Sequence, residues 1–267
     1  MRDKIISKLK CNSKISEVLY FDTIDSTNTY AKKISSSSKH GTLIMADKQT
    51  QGRGRSGHNF ESPSKTGLYM TLILKPEIEI SKFQMITIAD AVAVCLAIED
   101  LYGASKDKLK IKWVNDVLFR GKKISGILTE AVNNSKGEVE SVITGIGINI
   151  STQKFHGDFN AGAIFDEGEK ISFEREELCA RIADYIMDFS ENLDDPKLIE
   201  EYRKRSILTG KNISYMRYNK KYLAKVLGID DLGGLEIQNQ DGNKEILRSG
   251  EVFMIRPEEG EKIQYEN

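Results

Sequence analysis

The sequence changes its grain near residue 207. Up to that point, apolar runs long enough for helices and buried strands alternate. Beyond it, five short β-type runs follow one another: Ile213–Tyr218, Tyr222–Ile229, Gly234–Ile237, Glu245–Arg248 and Glu251–Ile255. Turn residues separate them at Asn219, Asp230-Asp231, Gly233-Gly234 and Asp241-Gly242. About sixty residues of short antiparallel strands predict a small barrel. A chain of 267 residues can bury one sizeable core and carry such a unit behind it. The expected division is therefore 1–208 and 209–267, with the boundary at Thr209-Gly210.

The first unit reads as a mixture of helices and strands. Asp25 or Ser26 is a natural N-cap for a helix over Thr29–Ile34. Thr42–Ala46 reads as a strand, and the unbroken apolar run Gly67–Leu74 as a strand buried on both faces. From Ser81 to Tyr102 the positions Ile86, Ala89, Ala93, Leu96 and Ala97 make a helical apolar face, which ends before Gly103. Strands are expected at Leu109–Trp113, Ile124–Ala131 and Val139–Ile150, with a hairpin turn at Arg120-Gly121-Lys122. Helices are expected at Glu174–Leu193 and Pro196–Ser206.

Several function classes are disfavoured at once. A formal net charge of −1 provides no global basic field for nucleic acid. No apolar run approaches the ~18 residues of a membrane span, and residues 1–10 lack the apolar region of a signal peptide. Cys11, Cys95 and Cys179 lie far apart, which suggests neither a disulfide framework nor a zinc site and fits a reducing cytosol. His40, His58 and His156 are equally scattered, so a His/Cys metal centre is not expected.

Two motifs carry chemistry. In Gly52-Arg53-Gly54-Arg55-Ser56-Gly57, glycines let backbone amides approach a ligand, and arginines add permanent cationic forks suited to phosphate or carboxylate. The spacing also fits the dinucleotide fingerprint G-x-G-x-x-G. That fingerprint needs a strand directly before it and a helix opening within it. Here Asp47–Gln51 intervenes upstream, and His58–Gly67 is turn-rich downstream. An anion-binding loop is the better reading, with a plain surface loop as the alternative. The second motif is Lys112-Trp113-Val114-Asn115-Asp116, which holds the only tryptophan. A lysine between Ile111 and Trp113 can be a point charge aimed into a site, or an outward lysine protecting a strand edge. The pentapeptide alone leaves both open.

In order along the chain, Ser26-Thr27-Asn28, Gln49, the Gly/Arg loop, Ser62-Pro63, Lys112–Asp116, Lys123-Ile-Ser-Gly126-Ile-Leu-Thr-Glu130 and Gly145-Ile-Gly147-Ile-Asn149 resemble the biotin protein ligases. Each motif is weak by itself; their succession makes the match specific. The resemblance implies an α+β fold: a central mixed sheet with flanking helices, class II synthetase-like, as in the biotin/lipoate ligase catalytic domain. A small C-terminal SH3-like β-barrel would follow it. It implies a cytoplasmic ligase that uses ATP, Mg2+ and biotin. Biotinyl-5′-AMP would form first, and biotin would then pass to a lysine of a biotin carboxyl carrier protein. The enzyme would be a monomer or homodimer. A lipoate or octanoate ligase or transferase of similar fold is the nearest alternative, and a non-enzymatic ligand-binding module the second.

The same resemblance assigns roles. Lys112, Arg55 and Asp116 would be catalytic, with Lys112 bridging the biotin carboxylate and the α-phosphate. Ser26, Thr27 and Gln49 would hydrogen-bond the ureido ring, and Asn28 would order that corner. Arg53, Gly54, Arg55, Lys112 and Gly126 would complete the biotin site. Arg53 and Arg55 would also cradle phosphate, with Phe60, Asn115 and Asn149 around the adenylate. Asp116 and Lys123 would help place Mg2+, adenine or the acceptor amine. No dedicated protein ligands for Mg2+ are expected. The chain departs from the family pattern at Val114, His58 and Phe60, where many members have Pro, Arg and Trp. Phe60 keeps an apolar wall, but His58, mostly neutral near pH 7, weakens an anion contact. Some members begin with a helix-turn-helix domain. Ser26 arrives after only 25 residues, so a ligase without operator binding is expected.

Overall fold

The computed structural model describes residues 1–76, 79–103, 108–152, 160–217 and 220–255. His156, the end of the expected strand at Tyr218 and the turn at Asn219 lie outside the described residues. The chain runs α1 (Arg2–Lys8), β1 (Glu17–Ile24), α2 (Thr27–Ile34), β2 (Thr42–Gln49) and β3 (Gly67–Leu74). It continues through α3 (Phe83–Tyr102), β4 (Leu109–Lys112), β5 (Asp116–Phe119), β6 (Lys122–Asn133) and β7 (Val139–Asn149), then α4 (Arg175–Ser190) and α5 (Pro196–Arg205). The last strands are β8 (Asn212–Arg217), β9 (Lys220–Ile229), β10 (Leu235–Asn239), β11 (Lys244–Leu247) and β12 (Val252–Met254).

Seven strands form a mixed sheet in the order β1-β2-β3-β7-β6-β5-β4. Only β1 and β2 run parallel, because α2 supplies the crossover that a parallel pair requires. Every other pair is antiparallel, including the β5–β6 hairpin, whose tight turn takes positive φ at Arg120 (50°) and Gly121 (79°). Side-chain alternation splits the sheet into two faces. Leu43, Met45, Leu72, Leu74 and Val142 point toward α3 and α4 and belong to the main core. Ile44, Ile73 and Ile143, their chain neighbours, meet Ala31 of α2 in a smaller cluster on the opposite face. Leaving one face lightly covered creates the floor of the site.

The expected elements are present, with two refinements. The helix of residues 83–102 is buried around most of its girth rather than along one stripe. It packs against the sheet, α4 and α5 together, so a single apolar face would leave the other contacts empty. The helix after Asp25 starts two residues earlier than expected, with Ser26 as its cap: the side chain accepts from the Thr29 amide at 3.4 Å. Both α1 and β1 lack counterparts in the sequence reading. The first is short, and the burial of the second is too irregular to mark a strand.

The C-terminal strands form a five-stranded antiparallel sheet, β11-β10-β9-β8-β12, where the SH3-like unit was expected. Ile213, Val226, Leu235, Ile237 and Val252 join the same apolar core as the first sheet. Polar ties reinforce that joint: Gln84 and the Trp113 indole both donate to the Gly233 carbonyl, at 2.6 and 2.9 Å. Among the described residues no helix is long and apolar enough to cross a membrane. Cys11 is exposed; Cys95 and Cys179 are core thiols, and burial pushes the Cys95 thiol up to about 12.

Candidate active site

A cavity of about 680 Å3 opens on the α2 face of the large sheet. Gln49 at the end of β2, the Ser26–Asn28 turn, the Gly/Arg loop, the β4–β5 corner and the centres of β6 and β7 enclose it. It gathers Ser26, Thr27, Asn28, Gln49, Arg53, Gly54, Arg55, Phe60, Lys112, Asn115, Asp116, Lys123 and Gly126. Asn149 is the one expected site residue that does not line it. Its amide donates instead to the Gly162 carbonyl at 3.0 Å.

One end of the cavity is neutral and rigidly bonded. Gln49 Oε1 accepts from the Thr27 amide at 2.9 Å and from its hydroxyl at 3.0 Å, while Gln49 Nε2 donates to Ser62. The Thr71 hydroxyl donates to Asn28 Oδ1 at 2.7 Å, and Asn28 Nδ2 donates to the Leu128 carbonyl at 3.1 Å. This corner needs the glycines of β7. A Cβ on Gly145 would sit 1.8 Å from Asn28 Oδ1, and one on Gly147 would sit 2.5 Å from the Phe60 ring. The Gly145-x-Gly147 spacing puts both on the same face of one strand, which lets Asn28 and Phe60 lie directly on the backbone.

The other end is cationic. Arg55 donates to Asn115 Oδ1 at 2.9 Å and to the Gly250 carbonyl at 3.4 Å, both neutral acceptors. Lys112 ends β4 half-buried, its Nζ 5.5 Å from the centre of the Phe253 ring. Among the described residues neither Arg55 nor Lys112 has a carboxylate within ion-pair distance. Two other cations are paired, Arg53 with Glu130 and Lys123 with Asp116 at 2.9 Å, and the His58 ring lies 3.3 Å from the Glu251 carboxylate. His58 is an exposed residue of the cavity rim, 72% accessible. The β4–β5 corner is pinned from behind. Asn115 Nδ2 donates to the Ile127 carbonyl at 2.9 Å, and the buried Tyr202 hydroxyl donates to the Val114 carbonyl at 3.1 Å.

Some participants escaped the sequence reading. Val252 and Phe253 of β12, with Glu251 just before it, close the cavity from above. Nothing in a short β-run marks it as the wall of a site some 140 residues away in sequence (Phe253 against Lys112). Asn59 and Met70 also line it, and Glu130 stands just behind its wall. Glu130 closes the Lys123–Glu130 motif, so its place in that motif was the available signal. An arrangement of two uncompensated cations beside a neutral, hydrogen-bonding corner can hold a ligand that is polar and uncharged at one end and anionic at the other.

Comparison with known proteins points the same way. Residues 20–149 match the family model described as the biotin/lipoate A/B protein ligase family. The bifunctional ligase/repressor BirA of Bacillus subtilis is 36% identical over 250 residues, covering 89% of this chain and 74% of that protein. The biotin–[acetyl-CoA-carboxylase] ligase of Paracoccus denitrificans is 28% identical, covering 86% and 97% of the two chains. The structure of the Aquifex aeolicus biotin protein ligase in complex with biotin and ATP superposes with a TM-score of 0.70 at 25% identity. It covers 90% of this chain and 99% of that one.

Proposed function

This chain belongs to the biotin/lipoate A/B protein ligase family and is an ATP-using biotin ligase, and from that premise we propose that it makes biotinyl-5′-AMP and transfers biotin to a specific lysine of a biotin carboxyl carrier protein. A biotin carboxylate oxygen attacks the α-phosphorus of ATP, and pyrophosphate leaves. The acceptor amine then attacks the carbonyl carbon of the mixed anhydride. AMP leaves, the amine loses a proton, and an amide remains.

The observation that carries this reading is the placement of Lys112 and Arg55, both without a carboxylate partner among the described residues, in one cavity with the Thr27–Gln49 corner. The first step brings two anions together, so cations must neutralise both as charge moves to the leaving group. Lys112, a compact charge on a flexible stem, bridges the carboxylate and the α-phosphate. Arg55 grips phosphate with its fork, in the place Asn115 sets for it. Ser26, Thr27, Asn28 and Gln49, with Gly54 and Gly126, take the ureido end. Phe60 walls the middle, and the loop over residues 52–57 excludes water that would hydrolyse the anhydride. Asp116 and Lys123 hold each other beside Lys112 and face the adenylate side. Mg2+ would be held chiefly by the ATP phosphates, whose charge it neutralises, with the carboxylate of Asp116 in the cavity lining. We also propose residues 1–208 as the catalytic unit and 209–267 as the barrel that closes it.

The test is pyrophosphate release from ATP with biotin, lipoate and octanoate in parallel. Release with biotin supports the reading. Release with lipoate or octanoate alone would keep the fold and the role of Lys112 but overturn the assignment of the neutral corner.

A further inference from the structure

Glu130 sits on β6 just outside the cavity, with its side chain 17% exposed. Three groups converge on its carboxylate. Arg53 meets it end-on with two hydrogen bonds, Nη1 to Oε2 at 3.1 Å and Nη2 to Oε1 at 3.0 Å. Lys32 of α2 donates to Oε1 at 2.7 Å, and Asn28 of α2 to Oε2 at 3.3 Å. Burial pushes the Glu130 carboxyl up, but the bonds from Lys32, Asn28 and Arg53 outweigh it and hold it below the usual range. The group is therefore an anion in the working pH range. One side chain thus clamps three pieces of chain: the Gly/Arg loop, the first turns of α2 and the middle of the sheet.

This separates the two arginines of the loop. They are two residues apart, yet they face different chemistry. Arg55 has only neutral acceptors, so its charge is available to an incoming anion. Arg53 is held by a bidentate carboxylate, shared with Lys32, in the geometry that best satisfies a guanidinium. To meet a ligand carboxylate or phosphate in the same way, it would have to leave Glu130 beside Lys32, giving up one anion for another. What Arg53 does supply is the location of the loop. Its backbone forms a bridge with Asn59, and the next residue, Gly54, donates to the His58 carbonyl at 2.7 Å, so moving Arg53 moves the whole turn.

We propose that Glu130 is a positioning residue of the biotin ligase site, holding the Gly/Arg loop through Arg53, and that the Arg53 side chain acts through this pair and not by contact with the ligand anion. The inference rests on the ligase reading above. It gives Arg53 a different duty from Arg55 within one motif, and it gives a duty to the acidic end of the Lys123–Glu130 motif.

The test is a double-mutant cycle with Arg53→Ala, Glu130→Ala and the pair, read by ATP–pyrophosphate exchange as separate KM for biotin and kcat. Each single change is expected to raise KM about tenfold and to leave kcat within about twofold, because the charges used in the transition state come from elsewhere. The double variant is expected to match Glu130→Ala at about tenfold, since the pair that Arg53→Ala breaks is already among the interactions that Glu130→Ala removes. Additive losses of about a hundredfold in the double variant would overturn the proposal. So would a loss of kcat in Arg53→Ala as large as that in Arg55→Ala, or a lowered melting point in Glu130→Ala with an unchanged KM. Glu130→Gln, which keeps an acceptor for Arg53 and the site's shape, replaces Glu130→Ala in the cycle should the latter not fold. If the wild type exchanges pyrophosphate with another acid instead of biotin, the ligase assignment fails on its own, and the cycle is run with that acid.

Discussion

At the scale of single residues, what distinguishes Lys112 is what it lacks. Arg53 and Lys123 are held by carboxylates, whereas Lys112 lies over the Phe253 ring and, like Arg55, has no carboxylate partner among the described residues. Lys112→Ala is expected to lower the rate of adenylate formation by at least about a hundredfold, as for other preorganised charges aimed at a transition state. The melting point should stay within a few degrees, because a half-buried terminal ammonium contributes little to folding. A near-normal rate of pyrophosphate release in that variant would remove Lys112 from the chemistry. A second residue matters for stability instead. Asp90 of α3 is fully buried beneath β6 and β7, accepting from Thr144 and, at 3.3 Å, from Thr129, while Oδ1 has no partner. Burial pushes its carboxyl up to about 7, against the lowering effect of the two hydroxyls. The folded value thus lies above the unfolded one near 3.9, so the folded state binds the extra proton between the two. Stability from this group is complete below pH ~4 and is lost as pH rises toward 7. Relative to Asp90→Asn, the wild type should lose about 2–3 kcal/mol between pH 5 and pH 8. Denaturant melts of both proteins at the two pH values check this; parallel curves would show that the carboxyl is already charged at pH 5.

At the scale of elements, β7 shows how backbone geometry makes a site. Gly145→Ala forces Asn28 to move, which breaks its bonds to Thr71 and Leu128 and leaves buried polar groups unpaired. The expected loss of biotin affinity is about 1–3 kcal/mol, roughly five- to 150-fold. Isothermal titration measures it, and unchanged affinity would show that the Asn28 corner does not touch the ligand. This dependence was half-legible in the sequence. Residues 145–149 stood out as a strand with two glycines, but which side chain fills the space each glycine leaves is a tertiary fact. The same limit applies elsewhere. Gly67–Leu74 could be read directly because a strand covered on both faces is apolar without interruption. By contrast β1, at the sheet edge, has one buried residue in eight, and no alternation survives to be read. Lys112 was legible as a candidate charge, but the sequence left open whether it faced outward or into a site, and the structure places it in the cavity lining.

At the scale of the molecule, two sheets share one apolar core and one cavity. Heat should therefore unfold both in a single calorimetric transition. Biotin at about a hundred times its dissociation constant should stabilise that transition by about 2.7 kcal/mol. Two separate transitions would mean that the C-terminal strands are seated more loosely than their shared core implies. The joint between the sheets has a further consequence. Trp113 is the only tryptophan in the chain, is almost fully buried, borders the cavity and bonds Gly233 across the joint. All indole fluorescence of this protein therefore originates from one point, with ligand on one side and the second sheet on the other. A shift in emission colour on adding biotin or ATP reports the site filling, and a red shift under mild denaturant reports the sheets parting. The molecule carries its own single-channel optical probe at the place where both events meet.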